Sequence, residues 1–270
     1  MLFRIAIQVI SYNRPAYLEQ TLASLHLNMD KNDKICVLEQ SDDKKLQEES
    51  ISICKRYPNI HLITIYKNLG QRAATNVVYN IGFFDNCEYI MLSDQDVFYN
   101  DKLDVYCDKL EKDPSIFVAT GCHSPEHDIE KKSGEWLLKS TLRATHMVFR
   151  SNDFYKMMPI DINYDAGTKC SWFAGLDWNL TWWNNNSAGF NKRIEFVACY
   201  PGGATHIGRQ STWQGYYNDE IENYICIWMR SASLEDIIKK YPPKHIYVPH
   251  KYEYEKILLV QPQVKIVRMS

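Results

Sequence analysis

Over its first hundred residues the chain alternates short apolar, β-branched runs with amphipathic stretches, at a spacing of roughly 25 to 30 residues. Residues 4–10, 34–38, 60–66 and 89–92 read as strands. Between them Leu18, Leu22 and Leu25 recur at helical spacing, and residues 44–57 place Leu46, Ser50, Ile53 and Tyr57 near one face. Residues 71–84 supply a third helix after the turn Asn68-Leu69-Gly70. Pro15 suits a first helical turn, with Ser11 or Asn13 as its cap. This alternation predicts an α/β fold, a mostly parallel sheet with right-handed crossovers and flanking helices.

Each strand runs into a polar cluster: Ser11–Arg14, Glu39–Asp43, Asn68–Arg72 and Ser93–Asp96. In a parallel sheet those ends share one edge, and ligands of open α/β sheets bind there. The last cluster, Ser93-Asp94-Gln95-Asp96, sets two carboxylates one residue apart. On extended backbone they point the same way and repel, and a bound cation relieves that repulsion. Mg²⁺ and Mn²⁺ take oxygen ligands and bind through one or two carboxylates plus substrate phosphates. A bare Asp-x-Asp is more often a polar turn. Its position as the fourth of four clusters favours a metal–nucleotide site.

Beyond Asp96 the pattern is less regular. Residues 103–110 and 153–158 read as helices, the second stopped by Pro159. Residues 116–120, 142–150 and 194–200 read as strands, and 123–132 as a loop. Residues 174–183 form a Gly-bounded aromatic helix candidate containing Asp177 and Trp178. Residues 218–230 read as a further helix. The last forty residues hold seven Lys/Arg, four Asp/Glu and scattered prolines, and are expected to be an irregular, mildly basic extension.

Composition removes several classes. A net charge of −2 argues against a general nucleic-acid binder. No apolar run approaches the ~20 residues of a membrane span, and the N-terminal apolar stretch lacks a signal peptide's long h-region. Eight cysteines occur with no C-x-x-C spacing, as expected of buried thiols in a reducing compartment. No G-x-G-x-x-G follows a strand, against a NAD-dependent dehydrogenase. Ser11-Tyr12-Asn13-Arg14-Pro15 contains no glycine, against a sugar-1-phosphate nucleotidyltransferase that must cradle a triphosphate. A non-catalytic glycan-binding protein on the same fold is the other alternative.

The set Val9–Arg14, Glu39-Gln40-Ser41-Asp42, Asn68-Leu69-Gly70 with Ala73 and Asn76, and Asp94-Gln95-Asp96 resembles family 2 inverting glycosyltransferases over roughly residues 1–210. The resemblance implies a GT-A (Rossmann-like) fold with an acceptor-side C-terminal portion. The departures are Glu39-Gln40 where the second strand usually ends in Asp, Leu176-Asp177 where Glu-Asp is frequent, and the absence of Gln-x-x-Arg-Trp. The last argues against a processive synthase.

By this resemblance Ser11, Tyr12, Arg14, Glu39, Asp42, Asn68, Gly70, Arg72 and Asp94 would bind the nucleotide. Asp96 would hold Mn²⁺ or Mg²⁺ directly, with His206, while Asp94 contacts the ribose or acts through water. Asp177 would be the catalytic base and Trp178 a sugar contact. Residues 209–213 read equally as a loop closing on the donor phosphate and as plain surface. His123, His127 and His146 are expected to be structural or at the surface. The implied division is a nucleotide-sugar-binding half at 1–100, an acceptor-binding half at 101–230 and the extension at 231–270. The implied donor is a nucleotide sugar, UDP-linked on family frequency. The implied acceptor is a glycan or lipid-linked glycan of bacterial surface assembly. No nucleic-acid partner is expected. The expected location is cytoplasmic, with possible peripheral contact at the inner face of the cell membrane.

Overall fold

In the computed structural model, residues 2–122, 131–139, 145–160 and 197–208 are described, with the backbone of three further strands at 224–226, 245–249 and 265–269. The first hundred residues give β1 (Phe3–Ser11), α1 (Pro15–Asn28), β2 (Lys34–Glu39), α2 (Lys44–Cys54), β3 (Ile60–Thr64), α3 (Gly70–Asn80), β4 (Cys87–Asp94) and the short β5 (Val97–Tyr99). β1 to β4 pair in parallel in the order β3-β2-β1-β4. This is the sheet the alternation predicts, and the carboxyl ends of β1, β2, β3 and β4 lie on one edge.

β1 is buried from Ile5 to Ser11 without alternation, as a strand covered on both faces must be. Leu18, Leu22 and Leu25 of α1 pack into one cluster with Ile5, Ile7, Val9, Ile35, Val37 and Met91. Each such side chain contributes roughly 2 kcal/mol relative to exposure. Pro15 opens α1 as expected, but the N-cap is Arg14, with no side-chain cap bond. Ser11 stays within β1, and Asn13 sits in left-handed backbone at φ 53°. Asp43 caps α2 by accepting from the Leu46 N–H.

The sheet continues through shorter elements: α4 (Asp104–Lys112), β6 (Val118–Thr120), β7 (Lys131–Ser133), β8 (Trp136–Lys139), β9 (His146–Arg150), α5 (Ser151–Tyr155), β10 (Val197–Cys199) and β11 (Ala204–His206). β9 runs antiparallel beside β4, and the nine-stranded order is β3-β2-β1-β4-β9-β6-β10-β8-β7. β11 pairs antiparallel with β5 in a separate two-stranded ribbon. The β7–β8 hairpin begins inside the stretch expected to be loop; Gly134 at φ 61° lies in its turn.

These elements belong to one compact unit, Met1–Asp161 with Lys192–Arg209. A second unit, Ile162–Asn191 with Gln210–Ser270, contains β12 (Tyr224–Cys226), β13 (His245–Pro249) and β14 (Lys265–Met269), joined as a parallel sheet in that order. Two expectations are corrected there. Residues 224–226 are strand, inside the expected helix 218–230, because the aromatic and β-branched pair Tyr224-Ile225 finds a ladder on β13. The last forty residues are not wholly irregular, since β13 and β14 pair over five residues.

Candidate nucleotide and cation site

The parallel register sets Ser11 beside Glu39 and Ile10 beside Asp94, so three of the polar clusters start from adjacent rungs. Glu39 is fully buried. Its Oε2 accepts from the Ser11 hydroxyl at 2.5 Å and its Oε1 from the Ser41 N–H at 2.7 Å. Both oxygens are therefore engaged, and Glu39 braces the turn after β2 with charge-assisted bonds. The Ser41 hydroxyl in turn accepts from the Asn13 N–H at 2.7 Å.

Asp42 is the exposed carboxylate of this corner. It accepts from Asn13 Nδ2 at 2.7 Å and from the Tyr12 hydroxyl at 2.9 Å. Those two bonds, Asn13 first, hold its carboxyl below the usual range. Tyr12, Asn13 and Asp42 thus form a preset patch of one ring and one ionised carboxylate, suited to a nucleoside's ring and hydroxyl or N–H donors.

The next corner is built from β2 and α3. Gln40 Oε1 accepts from the Leu69 N–H at 2.9 Å, and Asn68 Oδ1 from the Gly70 N–H at 2.8 Å. Gly70 has φ 72°, a conformation in which a side chain is strained. The start of α3, with Arg72 in its first turn, is thereby fixed beside the sheet edge, and helix starts favour anions. Gln71 Nε2 lies 3.3 Å from Asp94 Oδ1, tying this corner to the Asp-Gln-Asp segment.

Asp96 is 8% exposed. Its Oδ2 lies 3.1 Å from Arg14 Nη1 and 3.2 Å from His206 Nε2. His206 arrives through the β5–β11 ladder, where it pairs with Val97, and the Ile207 N–H donates to the Asp96 carbonyl at 2.8 Å. A Cβ at Gly208 would fall 2.1 Å from Asp96 Oδ2, so the chain passes too close for any side chain there.

Asp96 and His206 offer one carboxylate oxygen and one imidazole nitrogen on a shared point. That mixed donor set suits a borderline-hard divalent ion such as Mn²⁺. Among the described residues no three His, Cys, Asp or Glu side chains gather as a cage. A cation here would keep positions for substrate oxygens.

The structure brings together Ser11, Tyr12, Arg14, Glu39, Asp42, Asn68, Gly70, Asp94, Asp96 and His206 along one edge. Arg14, expected among the nucleotide-binding residues, is paired with Asp96. Asp177, Trp178 and the segment 209–213 lie outside the described residues. Gln95 went unnoticed in the sequence. Its amide accepts from the Tyr12 N–H at 2.7 Å and the Ser11 hydroxyl at 3.0 Å, and donates to the Tyr12 carbonyl at 2.8 Å. β4 ends at Asp94 and Gln95-Asp96 form a turn, so the expectation that the two aspartates share one side of an extended strand does not extend to Asp96. His146 is structural: it is fully buried, its Nδ1 accepts from the Gly121 N–H at 2.8 Å, and burial pushes its pKa down to about 3.

The sequence matches the Glycosyl transferase family 2 profile over residues 6–179, well over half of the chain. The chain belongs to glycosyl transferase family 2. Its mixed, mostly parallel sheet with flanking helices is the GT-A fold. Among solved structures it is similar to the mannosyltransferase PcManGT from Pyrobaculum calidifontis in complex with GDP-Man and Mn²⁺, at 14% identity and TM-score 0.53, over 80% of this chain and 60% of that one. It is also similar to GalNAc-T7 with UDP, GalNAc and Mn²⁺, at 11% identity and TM-score 0.56, over 88% and 48%. The family 2 chain thus spans about half to three-fifths of these neighbours' lengths. No curated protein matches the sequence.

Proposed function

We propose that this family 2 enzyme is a cation-dependent, inverting and non-processive glycosyltransferase. It moves one sugar from a nucleoside diphosphate donor, UDP-linked by family frequency, to an acceptor hydroxyl. The observation that carries the reading is the meeting of Asp96 with His206 at 3.2 Å, on the same edge as the Tyr12–Asp42 patch. Both structural neighbours are complexes with Mn²⁺ and a nucleotide or nucleotide sugar, GDP-Man in one and UDP in the other, which supports a divalent ion and a nucleotide-linked donor.

A divalent ion held by Asp96 and His206 would supply positive charge to the leaving diphosphate. The chain's own residues do the rest. Tyr12 and Asp42 orient the nucleoside, with Ser11 and Glu39 bracing them. Gly70 and Arg72 at the start of α3 favour the diphosphate, and Asp94 the ribose. Asp177 takes the acceptor hydroxyl's proton as that oxygen attacks the anomeric carbon. The bond from that carbon to the diphosphate oxygen breaks, and the nucleoside diphosphate leaves. Trp178 contacts a sugar.

The acceptor is a glycan or lipid-linked glycan of bacterial surface assembly, met at the cytoplasmic face of the membrane. A basic excess of three in the last forty residues supports peripheral contact with anionic lipid. No helix among the described residues is long and apolar enough to cross a membrane. Residues 1–100 hold the donor and 101–230 the acceptor, with 231–270 as an extension.

The test is nucleotide release from a panel of nucleotide sugars with Mn²⁺, beside calorimetric binding. Failure of both ends the enzyme reading. Asp177→Asn is expected to abolish transfer and spare donor binding. Loss of donor binding in that variant would take Asp177 out of the base role.

A further inference from the structure

The ladder between β1 and β4 stops at Ile10–Asp94. Beyond that rung the chains carrying the nucleoside patch and the cation ligand no longer exchange backbone hydrogen bonds with each other. Gln95 continues the join with its side chain. Its amide takes the Tyr12 N–H and gives to the Tyr12 carbonyl, the two bonds a neighbouring peptide would make. That pair fixes which end of the amide is oxygen. The Ser11 hydroxyl has one proton and Glu39 is its nearer acceptor, so the contact from Ser11 to Gln95 is the weaker share.

The Gln95 main chain is held as well. The Thr21 hydroxyl donates to the Gln95 carbonyl at 2.6 Å and accepts from the Val97 N–H at 3.2 Å. Asp94 and Asp96 flank this pinned residue, while Tyr12 carries the ring and hydroxyl that hold Asp42. The Arg14–Asp96 ion pair is a further polar link between these two segments.

We infer that Gln95 is a positioning residue that couples the nucleoside end of the site to the cation end. An order imposed on Tyr12 by a nucleoside passes through the amide to the backbone of the two aspartates, and the reverse. Glutamate cannot substitute: it would set a carboxylate oxygen against the Tyr12 carbonyl and add charge beside Asp94 and Asp96. The inference rests on the reading of Asp96 as cation ligand and of the Tyr12–Asp42 patch as nucleoside end.

The experiment is a Mn²⁺ titration of the full chain, reading free Mn²⁺ by its magnetic resonance signal, with and without saturating uridine. Uridine has no phosphate, so the effect read is not one of phosphate oxygens on the ion. The expected wild-type result is Mn²⁺ binding tightened about fivefold by uridine, a modest coupling on the usual scale. In Gln95→Met, which keeps length and loses both bonds to Tyr12, the ratio is expected to fall to near one while each ligand still binds alone. A purely structural role would lower the melting temperature and leave the ratio unchanged.

A wild-type ratio of one overturns the inference. So does a ratio that survives in Gln95→Met, which would assign the coupling to contacts other than the Gln95 amide. If Gln95→Met does not fold, Gln95→Glu decides in its place: tighter Mn²⁺ alone, with the uridine effect lost. The underlying site reading is judged separately. Asp96→Asn is expected to lose Mn²⁺ and keep uridine. Mn²⁺ binding that survives Asp96→Asn, or no binding of either uridine or guanosine, ends that reading and the inference with it.

Discussion

The β3-β2-β1-β4 half of the sheet and the β9-β6-β10-β8-β7 half treat polar groups in opposite ways. In the first, strands are apolar and parallel, and polar side chains collect past the strand ends, where they bond one another around an open edge. In the second, strands of three to five residues are packed against rings drawn from β8, β9 and the elements beside them. The His146 ring lies 4.7 Å from Tyr106 and 5.3 Å from Tyr99, both nearly edge-on. Phe149 packs on Phe117 and Phe154, and Trp136 on Tyr200. His146 and Glu39 are both fully buried, yet Glu39 serves the open edge while His146 is sealed among rings. One half leaves its polar groups at an open edge, and the other uses them to lock packing.

If that division holds, damage to the two halves separates cleanly. The largest expected effect is from Asp96→Asn: transfer falls about a thousandfold, about 4 kcal/mol of barrier, with the melting temperature nearly unchanged. A comparable loss of fold would show that the open edge also carries stability. Next is Gly121→Ala in the far half. Its Cβ would lie 2.2 Å from the Tyr106 hydroxyl and 2.6 Å from the Ala204 nitrogen. Overpacking of this kind costs about 2 kcal/mol in denaturant unfolding, with Mn²⁺ binding retained. Equal stability of variant and wild type would count against the sealed description.

The third concerns pH. His146 is neutral in the fold down to about 3, whereas the unfolded chain protonates near 6.5. The unfolded state therefore binds the extra proton, and stability from this residue is lost as pH falls below 6.5. Asp33, pushed up to about 6 by burial, acts with the opposite sign between its unfolded 3.8 and that value. The difference between wild type and His146→Phe removes the Asp33 part. It should shrink by about 2 kcal/mol between pH 7 and pH 5, at about 1.4 kcal/mol per pH unit. A difference that stays constant would mean His146 is protonated in the fold. The smallest effect is from Asp42→Asn, a few-fold loss of uridine affinity by calorimetry with stability within about 0.5 kcal/mol. Unchanged affinity would remove Asp42 from the nucleoside patch.

The near half was legible because each unit repeats one signal: an apolar run, a polar exit and an amphipathic helix. The ends of β1, β2, β3 and β4 fall within two residues of the positions read from sequence. In the far half residues 116–120, 142–150 and 194–200 also read as strands and contain β6, β9 and β10, whereas β7 and β8 went unread because the polar Lys131–Ser133 is strand only through its hairpin partner. Tyr224–Cys226 shows the same override, since its neighbours suggest helix and its ladder makes it strand. Within the site, Asp96 and His206 could be named from their places after strands. Gln95 could not, because its bonds to Tyr12 span 83 positions and leave no local mark. Arg14 was read among the nucleotide-binding residues by resemblance, and only its geometry shows Asp96 as its partner.

The β5–β11 ribbon has a consequence for the order in which the site is made. The segments that meet at Tyr12, Asp42 and Gly70 are all present once about a hundred residues have been synthesised, whereas His206 joins Val97 across 109 positions. A chain emerging from the ribosome at roughly 5 to 20 residues per second has the segments of the Tyr12–Asp42 corner several seconds before His206 is made. The contact of Asp96 with His206 therefore closes after the rest of this edge has its residues, and the ribbon is the clasp fastened last.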